Sequence, residues 1–470
     1  MRAMGRLLAS AAVGETIARL TDEACCADGL RRAGVDPVRA TALGRRVARS
    51  AARLLELGGR PSAEACAFVV PGRIEVLGKH TDYGGGRSLL AATEQAAVVV
   101  AARRADRRLV IDDVGLGRHA SVELAPDLER APGDWSNYLR VPAAWLATHF
   151  PSEVCGVSMV FESDLPRAAG LSSSSVLVTS AFLALSSLGA FDRSERFVSA
   201  VPDRLALAEC LAAIEAGRPY GRFDENDGVG TLGGSEDHTA IVAAVDGHLA
   251  QYAFGPIRFE RAVAAPADHL FVVAASGVEA SKTGAQRDAY NALSGRLRSI
   301  ERVLQGLDPH QPRSLGMAIE QAPGLVGEIR ALLEREPAGR REALLARFDQ
   351  FVAETLELVS GAAEALDAGN LPLFGALVDR SQALAERGLG NQVAETVSLQ
   401  RLARAAGAVA ASAFGAGFGG SVWALVHASD VDRLERDWRA AYLRAHPERA
   451  ATATFFRTRA SMPAIRLELA

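Results

Sequence analysis

Residues 71–86 read PGRIEVLGKHTDYGGG, a strand-like run that passes directly into a dense polar loop and then into three glycines. The predicted strand ends at Leu77, and the polar residues Lys79, His80 and Asp82 follow at once. Glycines allow a tight turn and the close approach of a ligand. Side chains that combine donors and acceptors suit a polyol such as a sugar. The structural alternative is a capped turn in which Asp82 satisfies backbone N–H groups.

Two glycine patterns imitate nucleotide-binding motifs, but the residues around each pattern exclude that interpretation. Gly72 and the pair Gly78–Lys79 resemble a P-loop, but five residues separate the glycines instead of four, and His80 replaces the magnesium-binding Ser or Thr. Residues 415–420 match G-x-G-x-x-G, yet a strand-like run follows them where a dinucleotide-binding motif requires a helix. We expect this second pattern to be a loop that lets another segment pack closely.

A small-residue loop enters an uncharged helix in residues 164–187, DLPRAAGLSSSSVLVTSAFLALSS. The helix is predicted over Ser174–Leu188. The free N–H groups and positive dipole end of such a helix attract an anion, and serine hydroxyls add donors for phosphate oxygens and a possible magnesium ligand. A buried helix with a serine N-cap is the alternative, although four consecutive serines exceed what capping needs.

A carboxylate follows a glycine turn in residues 230–242, GTLGGSEDHTAIV. Asp237 is the candidate for orienting or abstracting the proton of a substrate hydroxyl. The alternative is a carboxylate that caps a helix.

Composition excludes several classes of protein. The 470 residues are 49% hydrophobic and 23% charged, with a net charge of −4, which argues against a disordered chain and against nucleic-acid binding. Five irregularly spaced cysteines predict reduced thiols and a cytoplasmic location, and the N-terminus lacks the long apolar core of a signal peptide. The uncharged stretches 168–191 and 405–426 contain too much Ser and Gly for membrane spans.

Hydrophobic periodicity suggests three parts. Residues 1–60 predict a helical N-terminal extension, and residues 61–262 and 263–470 predict two domains. Residues 241–254, IVAAVDGHLAQYAF, predict a hairpin that turns at Asp246–Gly247. Long amphipathic helices are expected in the second domain at 284–304, 340–367 and 394–409.

Read in order, three of these segments resemble the signatures of the GHMP kinase superfamily, and of galactokinases within it. The family patterns GRxNxxGEHTDYxGG, PxGxGLSSSA and GGGFGGxxxALV correspond here to GRIEVLGKHTDYGGG, PRAAGLSSSS and GAGFGGSVWALV. The resemblance spans about residues 66–460. It implies an α+β fold of two domains, with mixed sheets covered by helices and the active site in the cleft between the domains.

The resemblance also implies an ATP-dependent sugar kinase that uses ATP and Mg²⁺ and phosphorylates the anomeric C1 hydroxyl of galactose or a related monosaccharide. The residues that match the family's functional positions are Arg73 and Asp237 for catalysis; Lys79, His80, Asp82, Gly234 and Tyr290 for the sugar; Trp135, Tyr138, Ala168, Ala169, Gly170, Leu171, Ser172, Ser173 and Ser174 for the nucleotide; and Ser174 with Glu215 for magnesium. Glu209 is the second choice for the magnesium-binding glutamate, because relative to the family pattern the chain is expected to carry an insertion, RPYGRFDENDGVG, after Glu215. The implied partner is a small sugar, with no nucleic acid and no membrane, and the oligomeric state is not indicated.

Two departures from the family pattern affect these expectations. Lys79 replaces a sugar-recognising Glu, and since lysine is a donor only, a sugar other than plain galactose, such as a uronate, is one hypothesis. The alternative is that Lys79 points to solvent or pairs with Glu75 or Asp82. Ala168 replaces a glycine of the phosphate loop. The rival functions are a GHMP kinase for another acceptor (a uronic acid, heptose or pentose) and a non-catalytic regulator that binds sugar and ATP.

Overall fold

The computed structural model describes residues 7, 15–131, 133–166, 170–189, 191–278, 284–307 and 314–469, without the side chains of 192 and 284–287. Its strands are β1 (Ala65–Leu77), β2 (Arg87–Arg104), β3 (Arg108–Asp113), β4 (Arg118–Glu123), β5 (Gly156–Ser163), β6 (His248–Ala253), β7 (Arg258–Ala264), β8 (His269–Ala275), β9 (Ala410–Phe414), β10 (Ser421–His427), β11 (Thr454–Thr458) and β12 (Ile465–Arg466).

The α-helices alternate with these strands in the first half of the chain and dominate the second half. They are α1 (Ile17–Leu20), α2 (Glu23–Arg32), α3 (Pro37–Glu56), α4 (Asn137–His149), α5 (Ser173–Leu188), α6 (Glu195–Ala200), α7 (Arg204–Ala216), α8 (Glu236–Ala243), α9 (Gly284–Leu307), α10 (Leu315–Gln321), α11 (Leu325–Leu333), α12 (Ala338–Ala353), α13 (Val359–Asp367), α14 (Leu371–Gly388), α15 (Ala394–Ala405) and α16 (Val431–Ala445).

The strands form two sheets. The first has the order β12-β1-β2-β5-β3-β4, with β6 paired to β2 and β7 paired to β6. It is mixed, because β3 and β5 run parallel while the other pairs are antiparallel. The second sheet, β11-β8-β10-β9, is antiparallel throughout. The expected α+β fold is therefore confirmed. The predicted domain boundary at 262 falls inside β7, and β12 returns from the end of the chain to the first sheet.

The first sheet is buried on both faces, which explains the unbroken apolar run at the start of β1. Successive side chains point to opposite faces of a strand. Accordingly, Ala65, Ala67 and Val69 pack against the N-terminal helices, whereas Phe68 and Val70 face the core that contains α5. The N-terminal helices α1–α3 thus form one cover of the sheet.

Two of the N-terminal helices, α2 and α3, begin at capping residues. Asp22 accepts a hydrogen bond from Cys25 N at 3.0 Å, and Asp36 accepts one from Val38 N at 2.9 Å, directly before Pro37. Side-chain oxygens at this position satisfy N–H groups that have no partner within the helix. These caps agree with the helical extension predicted from the sequence.

The two sheets share a core at the place where β1 ends. Trp423 of β10 is fully buried, and its indole Nε1 donates to the backbone oxygen of Glu75 at 3.2 Å. Phe271 and Phe374 pack against the Trp423 ring, with centroids 5.6 and 6.4 Å away. The glycine-rich loop between β9 and β10 is therefore held against the polar loop after β1.

Three details of the predicted secondary structure were wrong. Ile241–Ala243 end helix α8, so the turn at Asp246–Gly247 joins a helix to β6, and the hairpin is formed by β6 and β7. A short apolar run does not distinguish a buried helix end from a strand. The helix predicted to reach 409 ends at Ala405, because β9 starts at Ala410 to complete the second sheet. The sequence prediction also missed α10, α11 and α14.

In the parts of the chain that the structure describes, every helix is too short or too polar to traverse a lipid bilayer. The first uncharged stretch became α5, and the second became a strand, a glycine loop and another strand.

If the N-terminal helices pack as an integral cover of the first sheet, replacing a buried leucine of α3 by alanine should lower the stability of the whole protein. Leu54 is 1% exposed among apolar side chains of α1, α3 and the sheet. We expect Leu54→Ala to lower the free energy of unfolding by about 2–5 kcal/mol, measured by urea denaturation. The control is Leu57→Ala at the end of the same helix, where the side chain is 43% exposed. Equal effects of the two substitutions would contradict this packing.

Candidate active site

The polar loop after β1 is built by a glycine turn. Gly78 has φ +97°, and a Cβ there would lie 2.3 Å from the carbonyl oxygen of Arg87, so a side chain is excluded. Upstream of this turn, β1 carries Arg73 and Glu75. Downstream, the loop carries His80 and Asp82, and both border the same cavity as Arg73 and Glu75.

Asp82 connects the polar loop to the start of α8. Its carboxylate accepts hydrogen bonds from Tyr83 N at 2.9 Å and from Glu236 N at 3.0 Å. A Cβ on Gly234 would lie 2.1 Å from Asp82 Oδ2, which explains the glycine. The capped-turn explanation of Asp82 therefore holds, and the residue also lines the cavity. Burial raises the pKa of Asp82, an effect that the two N–H donors oppose.

Arg73 and Asp237 form a buried ion pair at the centre of the cavity. Arg73 Nε lies 2.8 Å and Nη2 lies 2.6 Å from Asp237 Oδ1, and Arg73 Nη1 donates to the carbonyl oxygen of Gly170. Burial by itself lowers the pKa of Arg73, but the carboxylates of Asp237, Glu236 and Glu75 raise it above its usual value. The guanidinium is therefore a fixed positive charge between the glycine of the phosphate loop and the candidate base.

A second set of contacts surrounds Asp237 on the side of α5. Ser175 Oγ lies 2.9 Å from Glu215 Oε2 and 3.5 Å from Asp237 Oδ2. Glu215 Oε2 also lies 2.7 Å from His238 Nε2, and the other ring nitrogen of His238 lies 3.2 Å from Thr179 Oγ1. These contacts hold the Glu215 carboxylate in place beside Asp237.

The sequence prediction missed Ser175 and His238. Ser174 is half-buried and lies outside the cavity lining, whereas the next residue, Ser175, lines it and contacts Glu215. The sequence did contain a signal for Ser175, because this chain has a fourth serine hydroxyl where the family pattern has Ala. The other candidate glutamate, Glu209, accepts from Ile257 N at 2.6 Å and does not border the cavity.

The cavity brings together most of the residues expected to contact a sugar. His80, Asp82, Gly234 and Tyr290 all line it together with Asp237. The rings of His80 and Tyr290 lie with their centroids 5.8 Å apart. Tyr290 belongs to α9, so residues from both halves of the chain form one wall.

Lys79 does not take the position expected for a sugar-binding residue. Its side chain is 2% exposed and absent from the cavity wall, and Nζ donates to Ser381 Oγ at 3.0 Å. Ser381 in turn donates to Glu354, which also accepts from Gly78 N at 3.1 Å. A buried ammonium requires a nearby carboxylate, and Glu354 supplies it. Neither solvent nor Asp82 is the partner of Lys79, and its charge acts on Glu75 only at longer range.

Two buried acids lie behind the ion pair. Glu75 accepts from Gly415 N at 3.4 Å, and Glu236 accepts from Ser88 Oγ at 3.2 Å. Burial raises the pKa of Glu75 to about 7, although Arg73 and Lys79 oppose the shift. Burial also raises the pKa of Glu236 well above its usual value, and the charge of Glu75 adds to this.

The predicted nucleotide-binding residues are only partly described. Ala168 and Ala169 lie outside the described residues. Gly170 and Ser172 adopt positive φ angles of 72° and 61°, Leu171 is buried, and Ser173 is exposed at the start of α5. The Ser172 hydroxyl is buried and has no hydrogen-bond partner among the described residues.

Trp135 and Tyr138 are half-buried at the start of α4 and do not border the cavity around Asp237. The guanidinium of Arg118 lies 5.6 Å from the centroid of the Trp135 ring. Asn137 has a structural role, because its amide side chain bonds both N and O of Ala131, at 3.1 and 2.7 Å.

Comparison with known proteins places this geometry in a family. Residues 56–103 match the galactokinase galactose-binding signature, residues 137–223 match the GHMP kinase N-terminal domain, and residues 362–444 match the GHMP kinase C-terminal domain. The galactokinase of Roseiflexus sp. (strain RS-1) is 29% identical over 401 residues, which cover 83% of this chain and 90% of that protein. The galactokinase of Lactococcus lactis subsp. cremoris (strain MG1363) is 26% identical over 386 residues, 78% and 85% of the two chains.

The fold agrees with a solved relative. A crystal structure of Lactococcus lactis galactokinase complexed with galactose superimposes with a TM-score of 0.72, at 24% identity, and covers 88% of this chain and 97% of that one. The matched family models and the fold therefore identify a GHMP kinase. Within that class, the matched galactose-binding signature and the curated relatives make this chain a galactokinase-like, ATP-dependent sugar kinase.

The raised pKa of Glu75 has a measurable consequence for stability. Between pH 4.5 and 7 the folded protein keeps a proton that the unfolded chain has released, so this group makes folding less favourable as the pH rises through that window. Glu75→Gln removes the titration. The difference in melting temperature, variant minus wild type, should therefore increase from pH 4.5 to 7 and stay constant above pH 7.

The control for this measurement is Glu123→Gln, at an exposed position of β4. Its melting temperature should keep a constant difference from the wild type across the same range. A pH-independent difference for Glu75→Gln as well would show that Glu75 titrates normally.

Proposed function

We propose that this protein transfers the γ-phosphate of ATP to the C1 hydroxyl of galactose or of a closely related monosaccharide. The observation that carries the proposal is the Arg73–Asp237 ion pair, set in a cavity that His80, Asp82 and Tyr290 also line. Phosphoryl transfer depends mainly on positioning and charge stabilisation, and these residues provide both. The curated relatives named above are galactokinases, and the solved relative binds galactose.

In this proposal, Asp237 accepts or orients the proton of the C1 hydroxyl as its oxygen attacks the γ-phosphorus. Arg73 keeps Asp237 ionised, since a nearby positive charge favours the carboxylate, and stabilises negative charge on the transferring group. Ser175 holds the Asp237 carboxylate in position through its contact with Oδ2. Asp82 holds the start of α8 in position by accepting a hydrogen bond from Glu236 N. His80, Asp82 and Tyr290 bind the remaining hydroxyl groups of the sugar, and Gly234 leaves room for Asp82.

The phosphates of ATP would lie at the turn of Gly170–Ser174, where α5 begins. The buried Ser172 hydroxyl and the N–H groups of the first helical turn can donate to phosphate oxygens. Ala168, Ala169 and Leu171 belong to the same loop, and Trp135 and Tyr138 are proposed to border the adenine. All of these assignments follow the resemblance to the family.

The side chains beside Asp237 also fit a magnesium ion. Glu215 and Ser175 place a carboxylate and a hydroxyl oxygen 2.9 Å apart in the cavity wall, and Mg²⁺ prefers such oxygen ligands. Glu215 would hold the metal together with Ser175 or with Ser174, the residue implied by the resemblance. Magnesium bound there would neutralise phosphate charge. We also propose a cytoplasmic location, which the five free cysteines favour.

The proposal requires Asp237 to be essential for turnover. Asp237→Asn preserves the shape of the side chain but removes its charge and its ability to accept a proton, so kcat with galactose should fall about 100- to 10,000-fold. The assay is ADP release with Mg-ATP and galactose, and the control is Asp227→Asn, whose side chain is 76% exposed. Unchanged turnover in Asp237→Asn would refute the catalytic assignment. A wild-type protein that binds galactose and ATP without releasing ADP would favour the regulator instead.

A further inference from the structure

A second cavity of about 260 Å³ adjoins the sugar cavity. Tyr83 and Gly233 line both cavities, whereas Arg73 and Asp237 line only the first. The second cavity therefore meets the proposed sugar site at Tyr83 and Gly233, and not at the Arg73–Asp237 pair.

Two arginines line this second cavity. Arg218 follows the end of α7, where its backbone N donates to Ala213 O at 2.8 Å, and it begins the inserted segment noted in the sequence. Arg298 lies on α9 and, among the described residues, donates to Ser294 Oγ alone, one turn earlier, at 3.3 Å. Both residues are exposed, so a ligand in the cavity can reach them.

In the described part of the chain, neither arginine forms a direct ion pair. Among the residues that the structure describes, no carboxylate lies within 4 Å of either guanidinium, and the Arg218 side chain makes no hydrogen bond. Other exposed arginines of the second half do have such partners, for example Arg457 with Asp432 at 2.6 Å. Partial burial is the largest effect on the pKa of Arg218 and lowers it; at longer range the carboxylate of Asp82 raises it and the positive charge of Arg298 lowers it.

The acidic residue of this cavity does not cancel the two charges. Burial raises the pKa of Glu301 to about 7, and its carboxyl group accepts a hydrogen bond from the backbone of Leu315. Near neutral pH, the carboxyl is therefore about half protonated. Two guanidinium groups facing one concave space without a full counter-charge are a site for carboxylate, sulfate or phosphate oxygens.

We infer that the second cavity binds an anionic group carried by the sugar acceptor, held by Arg218 and Arg298 beyond Tyr83 and Gly233. The inference rests on the proposed function and extends it, because it names a galactose-like sugar with a carboxylate, sulfate or phosphate substituent as the preferred acceptor class. The positive charge that the sequence suggested at Lys79 is thus supplied by two other residues.

The experiment compares galactose with galacturonate, galactose 6-sulfate and galactose 6-phosphate. Binding is measured by calorimetry, and kcat/KM by ADP release. At least one anionic sugar should bind more tightly than galactose to the wild type. In Arg218→Gln and Arg298→Gln, the ratio of kcat/KM for that sugar to kcat/KM for galactose should fall about 10- to 100-fold, as expected for loss of a charged hydrogen bond. Arg302→Gln, on the exposed face of α9, should leave the ratio unchanged.

Each other outcome overturns the inference. If galactose binds best and both variants keep the wild-type ratio, the cavity has no role in acceptor choice. If inorganic phosphate raises the melting temperature of the wild type but not of the two variants, while no anionic sugar binds better than galactose, the cavity holds a free anion instead. The proposed function fails separately, through a wild-type protein that turns over none of the four sugars.

Discussion

The buried ion pair of Arg73 and Asp237 is the interaction on which the rest of the site depends. Removing one partner of such a pair leaves an uncompensated buried charge, so β1 and α8 must keep their relative position. The same guanidinium donates to the carbonyl oxygen of Gly170 and thereby fixes the loop before α5. One side chain therefore aligns the candidate base, the proposed sugar loop and the proposed phosphate loop. The buried sheet explains why this alignment is rigid, since helices cover both of its faces.

Two residues of the first signature, Glu75 and Lys79, differ in charge from the family pattern. The family has Asn where this chain has Glu75, and Glu where it has Lys79. Glu75 points into the cavity, and Lys79 points away from it to Ser381 and Glu354. Because Glu354 supplies the counter-charge, Lys79 can be buried without a contact to substrate.

The features that could be predicted from the sequence are those that depend on local residue patterns and on the order of the motifs. The first signature supplied Arg73, His80 and Asp82, and the carboxylate after the glycine turn of residues 230–242 supplied Asp237; all four line one cavity. The caps of α2 and α3 agree with the helical extension. Prediction failed where the outcome depends on residues distant in the chain. The orientation of Lys79 follows from Glu354, and the arginine pair of the second cavity combines α7 with α9. The predicted hairpin at Asp246–Gly247 failed because a short apolar run suits a buried helix end equally well.

The most direct test of the central claim is a crystal structure with galactose and a non-hydrolysable ATP analogue bound. The account predicts that an oxygen of the Asp237 carboxylate lies within hydrogen-bond distance of the C1 hydroxyl oxygen, about 2.6–3.2 Å away, with Arg73 still paired to Asp237. A sugar whose C1 hydroxyl faces away from Asp237, or which binds outside the cavity lined by His80 and Tyr290, would contradict it.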